Sequence, residues 1–144
     1  MKNYVYTYSD NGKKEKEKIE YPQIASFEYS LYKYDADKLT RIEKYDSSDN
    51  LESYILNDYN NSGELIKETI FREDNRARTY TQHTYKDGLN VQSDVFAGED
   101  MEDHVREILR TYDENDNLII QETNELSLYS STLSHVLKYE YFGE

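Results

Sequence analysis

The chain contains no cysteine and no tryptophan, one proline, five glycines and four phenylalanines. Without Cys there is no disulfide framework and no thiolate metal site. Five Gly supply no Gly-rich phosphate loop of either standard spacing. No run of about 20 apolar residues could cross a bilayer as a helix. The opening stretch Met1-Lys2-Asn3-Tyr4-Val5-Tyr6-Thr7-Tyr8-Ser9-Asp10 lacks the apolar core of an export signal. These absences lead us to expect a soluble protein kept in a reducing cytoplasm. A length of 144 residues suits one domain, and no composition shift marks a boundary within 1–144.

Negative charge is abundant. Seventeen Lys and Arg stand against 30 Asp and Glu, a formal balance of −13 and a pI near 4.6. Such a surface repels nucleic acid and anionic membrane, whose hold on proteins depends on Lys and Arg neutralising phosphates. It attracts a basic protein and speeds that encounter. Solubility alone would be served by the same balance. Tyrosine is abundant too, at 16 residues. Its ring packs on a half-buried sheet while the hydroxyl stays wet.

A pattern recurs along the chain: a Tyr, often an Asp, a short polar stretch, then Leu and an alternating segment. Its copies are Tyr34-Asp35-Ala36-Asp37-Lys38-Leu39, Tyr45-Asp46-Ser47-Ser48-Asp49-Asn50-Leu51, Tyr59-Asn60-Asn61-Ser62-Gly63-Glu64-Leu65 and Tyr112-Asp113-Glu114-Asn115-Asp116-Asn117-Leu118. Weaker copies are Tyr8-Ser9-Asp10-Asn11-Gly12 and the shortened Tyr85-Lys86-Asp87-Gly88-Leu89. Asn and Asp bond their own backbone and tolerate left-handed conformations, so each copy reads as a hairpin turn. Thr, Tyr, Ile and Val at period two fill the segments between. The expected fold is all-β, an antiparallel meander of about ten strands in a twisted or partly closed sheet. Two places interrupt it. Tyr21-Pro22-Gln23-Ile24 holds the only Pro, and apolar residues at Met101, Val105, Ile108 and Leu109 predict at most one short helix, or a wide loop, near 98–104.

Tyr34-Asp35, Tyr45-Asp46 and Tyr112-Asp113, each followed by Leu39, Leu51 and Leu118, resemble the YD repeats of the RHS (rearrangement hotspot) family. Most of the turn glycines of that pattern are replaced here by Asn, Asp or Lys. Short chains of this look resemble the immunity proteins of RHS-type and contact-dependent toxins. That resemblance implies an acidic, non-enzymatic cytosolic protein that neutralises a secreted toxin by covering its active site.

Little marks catalysis. His83, His104 and His135 stand in no recognisable motif, and no nucleophile elbow is present. Asp113-Glu114-Asn115-Asp116-Asn117 imitates the start of a calcium loop, but Leu118 occupies the position of the turn Gly. Turn chemistry accounts for the same residues, and no metal or cofactor is expected. A binding surface remains. Its candidates are Tyr34, Asp35, Tyr45, Asp46, Tyr59, Tyr112 and Asp113 at the turns, with Glu99, Asp100, Glu102 and Asp103 as the densest acid cluster. Tyr favours hot spots, and carboxylates pair with Lys or Arg of a basic partner. The alternatives are a carbohydrate-binding or surface structural module using Tyr platforms, and self-association through open sheet edges.

Overall fold

Alternation at period two, broken by Asn, Asp and Gly, leaves the chain little choice but short strands and tight turns. The computed structural model describes residues 2–98, 100–127 and 130–140. It contains eleven strands: β1 (Asn3–Tyr8), β2 (Lys14–Tyr21), β3 (Ser26–Asp35), β4 (Lys38–Tyr45), β5 (Leu51–Tyr59), β6 (Leu65–Arg72), β7 (Ala77–Lys86), β8 (Leu89–Ala97), β9 (Asp103–Tyr112), β10 (Leu118–Ser127) and β11 (Ser130–Lys138). They lie in sequence order, and β1 and β11 stand at the two ends of that order. The expected all-β meander is therefore the fold, and its strand order is open.

Most turns share one construction. In the segments 9–13, 46–50, 60–64, 72–76 and 113–117 the first residue's N–H donates to the fifth residue's carbonyl. The fourth residue's N–H donates back to the first residue's carbonyl. That fourth residue is left-handed each time: Gly12, Asp49, Gly63, Asn75 and Asp116 have φ of 80°, 63°, 89°, 64° and 63°. This is a type I turn closed by a left-handed residue, which needs Gly less than a two-residue hairpin does. The Asn and Asp that replace glycine in the repeat thus hold the conformation the glycine would. Tyr8, Tyr45, Tyr59, Phe71 and Tyr112 precede the five turns. The copy at 72–76 escapes a search for Tyr and Leu because Phe71 and Ala77 take their places. The copy at 34–39 is built differently. Asp35 pairs with Lys38 across a two-residue turn in which Ala36 is left-handed at φ 49°.

Two interruptions were expected. Pro22–Ile24 forms a single 3-10 turn closed by left-handed Ala25. Near 98–104 there is no helix among the described residues. The Met101 N–H donates to the Gly98 carbonyl, Met101 is left-handed at φ 59°, and β9 begins at Asp103. Gly98 has φ of 92°, a conformation that side chains with a Cβ rarely adopt, so the turn favours glycine. Of the short helix and wide loop expected here, the loop is the one formed; β9 is half-buried on both faces, which hides period two and left the helical spacing open.

Packing divides the chain into two compact units: residues 1–58 with 69–77, and residues 59–68 with 78–144. In the first, Tyr54 is the buried apolar centre at 7% exposure. It stacks on Phe71 at 4.7 Å beneath the Arg41 guanidinium at 4.0 Å. Its hydroxyl donates to Asn75 Oδ1 at 2.9 Å. Beside it, buried Glu43 accepts from Lys33 and Arg41, each at 2.7 Å, and from the Tyr45 hydroxyl. Burial opposes ionisation of Glu43, but these three donors outweigh it and hold its carboxyl below the usual range. In the second unit the stack is Tyr80–Phe96–His104, with ring centres 4.7 and 4.8 Å apart.

Candidate functional site

The expected site residues are engaged mainly by the fold. Asp46 Oδ1 accepts the backbone N–H groups of Ser48 and Asn50 at 2.8 and 2.9 Å, and Oδ2 accepts the Asn50 amide at 3.0 Å. Asp113 repeats this with Asn115 and Asn117 at 2.9, 2.9 and 3.0 Å. The asparagine amides, then the backbone donors, lower both carboxyl pKa values. The oxygens that imitate a calcium loop therefore face inward to their own turn. Asp35 is exposed at the end of β3. Tyr59 precedes the 60–64 turn at the end of β5.

The tyrosine hydroxyls are committed in a regular way. Tyr34 donates to the Lys14 carbonyl at 3.1 Å, Tyr85 to the Leu65 carbonyl at 3.0 Å and Tyr112 to the Asn90 carbonyl at 2.8 Å. Each bond runs from the end of one strand to the start of the strand before it and ties neighbouring turns at one end of the meander. Tyr45 stacks on Tyr29 at 5.0 Å, and its hydroxyl pKa is raised by burial and by Glu43. The Tyr29 hydroxyl, bonded to Asp49 at 2.8 Å, is pushed up to about 12 by that bond. Lys14, Lys16 and Lys67 lie over the rings of Tyr32, Tyr29 and Tyr80 at 4.1, 4.0 and 4.3 Å. These ring faces are covered by the protein's own cations.

The candidates do not converge. Successive turns of a meander alternate between its ends, so the first unit places Tyr34-Asp35 opposite Tyr45-Asp46. In the second, Asp103 and Tyr112 are the two ends of β9, about 30 Å apart at the strand rise. Asp100, Glu102 and Asp103 share one turn, with Asp103 packed against Gly98. Glu99 lies outside the described residues. Among the described residues no three His, Asp or Glu side chains converge as metal ligands.

Two arrangements in the second unit were not legible from sequence. Strand pairing sets Ser93 opposite His83 and Ile108 on one face. Ser93 is 1% exposed. His83 Nδ1 lies 2.9 Å from Ser93 Oγ and 3.1 Å from Asn90 Nδ2. Arg110 Nη1 donates to Asn90 Oδ1 at 2.9 Å and to Ser93 Oγ at 2.8 Å. Burial, then the Arg110 charge, lowers the His83 pKa; the Asn90 amide nitrogen can only donate, so Nδ1 accepts from it. A hydroxyl beside an imidazole suggests nucleophilic chemistry, but no substrate carbonyl can approach an oxygen this deeply enclosed. The cluster acts as polar packing.

The opposite face carries carboxylates. Gln92 Nε2 donates to Asp94 at 3.1 and 3.0 Å and to Glu107 Oε1 at 3.3 Å, and Asn124 Nδ2 donates to Glu107 Oε2 at 3.1 Å. His104 Nε2 lies 2.9 Å from Asp94 Oδ1, yet the angle is poor and the buried nitrogen has no proper hydrogen-bond partner.

Two depressions in the surface of the described residues are small or wide open. One of about 240 Å³ is lined by Tyr21, Phe27, Glu28 and Asp46, below the usual size of a ligand pocket. Another, of about 500 Å³, surrounds the turn at Ser9, Asp10 and Asn11.

Charge is divided unequally. The first unit holds eleven Lys and Arg against fourteen Asp and Glu, net −3; the second holds six against sixteen, net −10. The totals recover the whole-chain −13. Ion pairs consume many carboxylates of the first unit, among them Lys13–Asp37, Lys14–Glu17, Lys18–Glu20 and Lys44–Glu28. No protein-family model matches the chain, and no curated protein matches it.

Proposed function

We propose that this chain is an immunity-type inhibitor: an acidic β-sheet protein that binds a basic, secreted toxin domain and covers its active site. The observation that supports this reading is the charge distribution, with sixteen acids against six cations in the second unit. Fixed carboxylates on pre-formed strands attract a cationic surface and need little reorganisation on binding. A hydrogen-bonded sheet with fixed side chains suits blocking more than transformation of a small molecule.

The test is titration of the purified chain with a basic toxin domain encoded beside it. A one-to-one complex is expected, and its affinity should fall at least about tenfold between about 50 and about 500 mM salt, because exposed charges are screened within ~10 Å. No complex at low salt would overturn the proposal.

A further inference from the structure

We propose that the docking surface is one face of β8, β9 and β10, where Asp94, Glu107 and Glu122 lie beside the Phe96–His104 stack, and that it receives an arginine-rich segment of the basic partner. This rests on the reading above and specifies its surface.

Register defines the face. Asp94 pairs with Glu107, Gln92 with Leu109, and Phe96 with His104; Leu109 pairs with Glu122, and Glu107 with Asn124. Paired residues of antiparallel strands share a side, so the three acids and the aromatic stack are co-facial. Across these strands the Lys and Arg residues are Arg106 and Arg110 alone. Both lie on the other side: Arg106 pairs in register with Val95 and Glu125 and bonds Glu125 at 2.7 Å. Arg110 enters the Ser93 cluster. One side of these three strands is thus neutralised internally, and the other holds three acids with no Lys or Arg of β8, β9 or β10; the nearest cation in register is Lys138 of β11, paired with Ile120 beside Glu122.

Two of the acids are held in place by neutral donors. Gln92 and Asn124 orient Asp94 and Glu107 through amide donors, where the first unit uses ammonium and guanidinium groups. Neutral donors fix a carboxylate and leave its field intact, so an incoming cation finds an acceptor already aimed. Arginine fits better than lysine. Its planar guanidinium can bond a carboxylate at two points and lie flat on a ring, as Arg41 does over Tyr54 within this molecule.

The test uses an oligo-arginine peptide at low salt, with an oligo-glutamate peptide of the same length as control. In the wild-type chain, the NMR signals of the Gln92 and Asn124 side-chain amides should shift on titration, and that of Asn90 on the opposite face should not. A variant carrying D94N, E107Q and E122Q should bind at least about tenfold more weakly. One carrying D87N, E114Q and D116N loses the same charge at turns and should change by less than about threefold. Equal losses, or shifts confined to Asn90 or the turns, would overturn this face while leaving the charge-driven function standing. Absence of any oligo-arginine binding would overturn both. The wild-type shifts decide the matter even if the triple variant fails to fold.

Discussion

Asp46 and Asp113 illustrate how a residue that looks available is already in use. Both carboxylates are saturated by donors of their own turn, and Asn60 makes the same bonds with an amide, to the Ser62 and Glu64 N–H groups. Charge is therefore not what those positions require; an oxygen acceptor is. His83 carries the clearer pH consequence. Its folded pKa lies below its ordinary value because burial and Arg110 oppose the imidazolium. Below about pH 6.5 the unfolded chain binds a proton that the folded one refuses. Stability is thus fully present above that pH and declines as pH falls toward the folded pKa. Urea midpoints from about pH 7.5 to about pH 5 should fall for the wild type and fall less for His83→Gln. Equal slopes would remove His83 from the account. The lowered pKa values of Asp46 and Asp113 add a separate loss only in the carboxylate range, as pH drops through their folded values.

At the scale of the element, the turn decides more than the strand. Ala36 is left-handed at φ 49°, a conformation that costs a residue with a Cβ about 1 kcal/mol or more. Ala36→Gly should therefore raise stability by up to about 1 kcal/mol, read as a higher denaturant midpoint; an unchanged or lower midpoint would contradict the strain. The same turns explain what could be read beforehand. Asn, Asp and Gly at fixed offsets announced six of the ten connections between strands, and period two announced the strands. The 72–76 turn fell between two expected strands but was not counted as a copy of the repeat, because Phe71 replaces Tyr and Ala77 replaces Leu. The 98–104 segment could be read only as a short helix or a wide loop, because β9 presents half-buried residues to both sides; it is the loop. Register was the larger gap. Bulges such as those after Val95 and Thr84 shift which residues share a face, and strict alternation cannot foresee them. For that reason the co-facial Asp94, Glu107 and Glu122 escaped notice, while Asp46 and Asp113 drew attention by their repeat.

At the scale of the whole molecule, charge and packing are distributed differently along the chain. Residues 59–68 with 78–144 carry net −10, and the remaining residues −3. Self-repulsion of like charges opposes folding and is relieved by salt. Raising salt from about 20 to about 200 mM should slow hydrogen exchange more in β7–β10 than in β2–β5, where ion pairs weaken as salt rises. The reverse ranking would count against this division of charge. Both terminal strands leave apolar side chains open, including Tyr4, Tyr6 and Tyr8 on β1 and Leu133 and Leu137 on β11. The tyrosine bonds from Tyr34 to Lys14, Tyr85 to Leu65 and Tyr112 to Asn90 add a rule about length. Donor and acceptor sit at the same end only when one full there-and-back excursion of the chain separates them. Gene duplication or loss can therefore lengthen or shorten such a protein by whole pairs of strands. An odd insertion between a donor and its acceptor would send that hydroxyl to the wrong end.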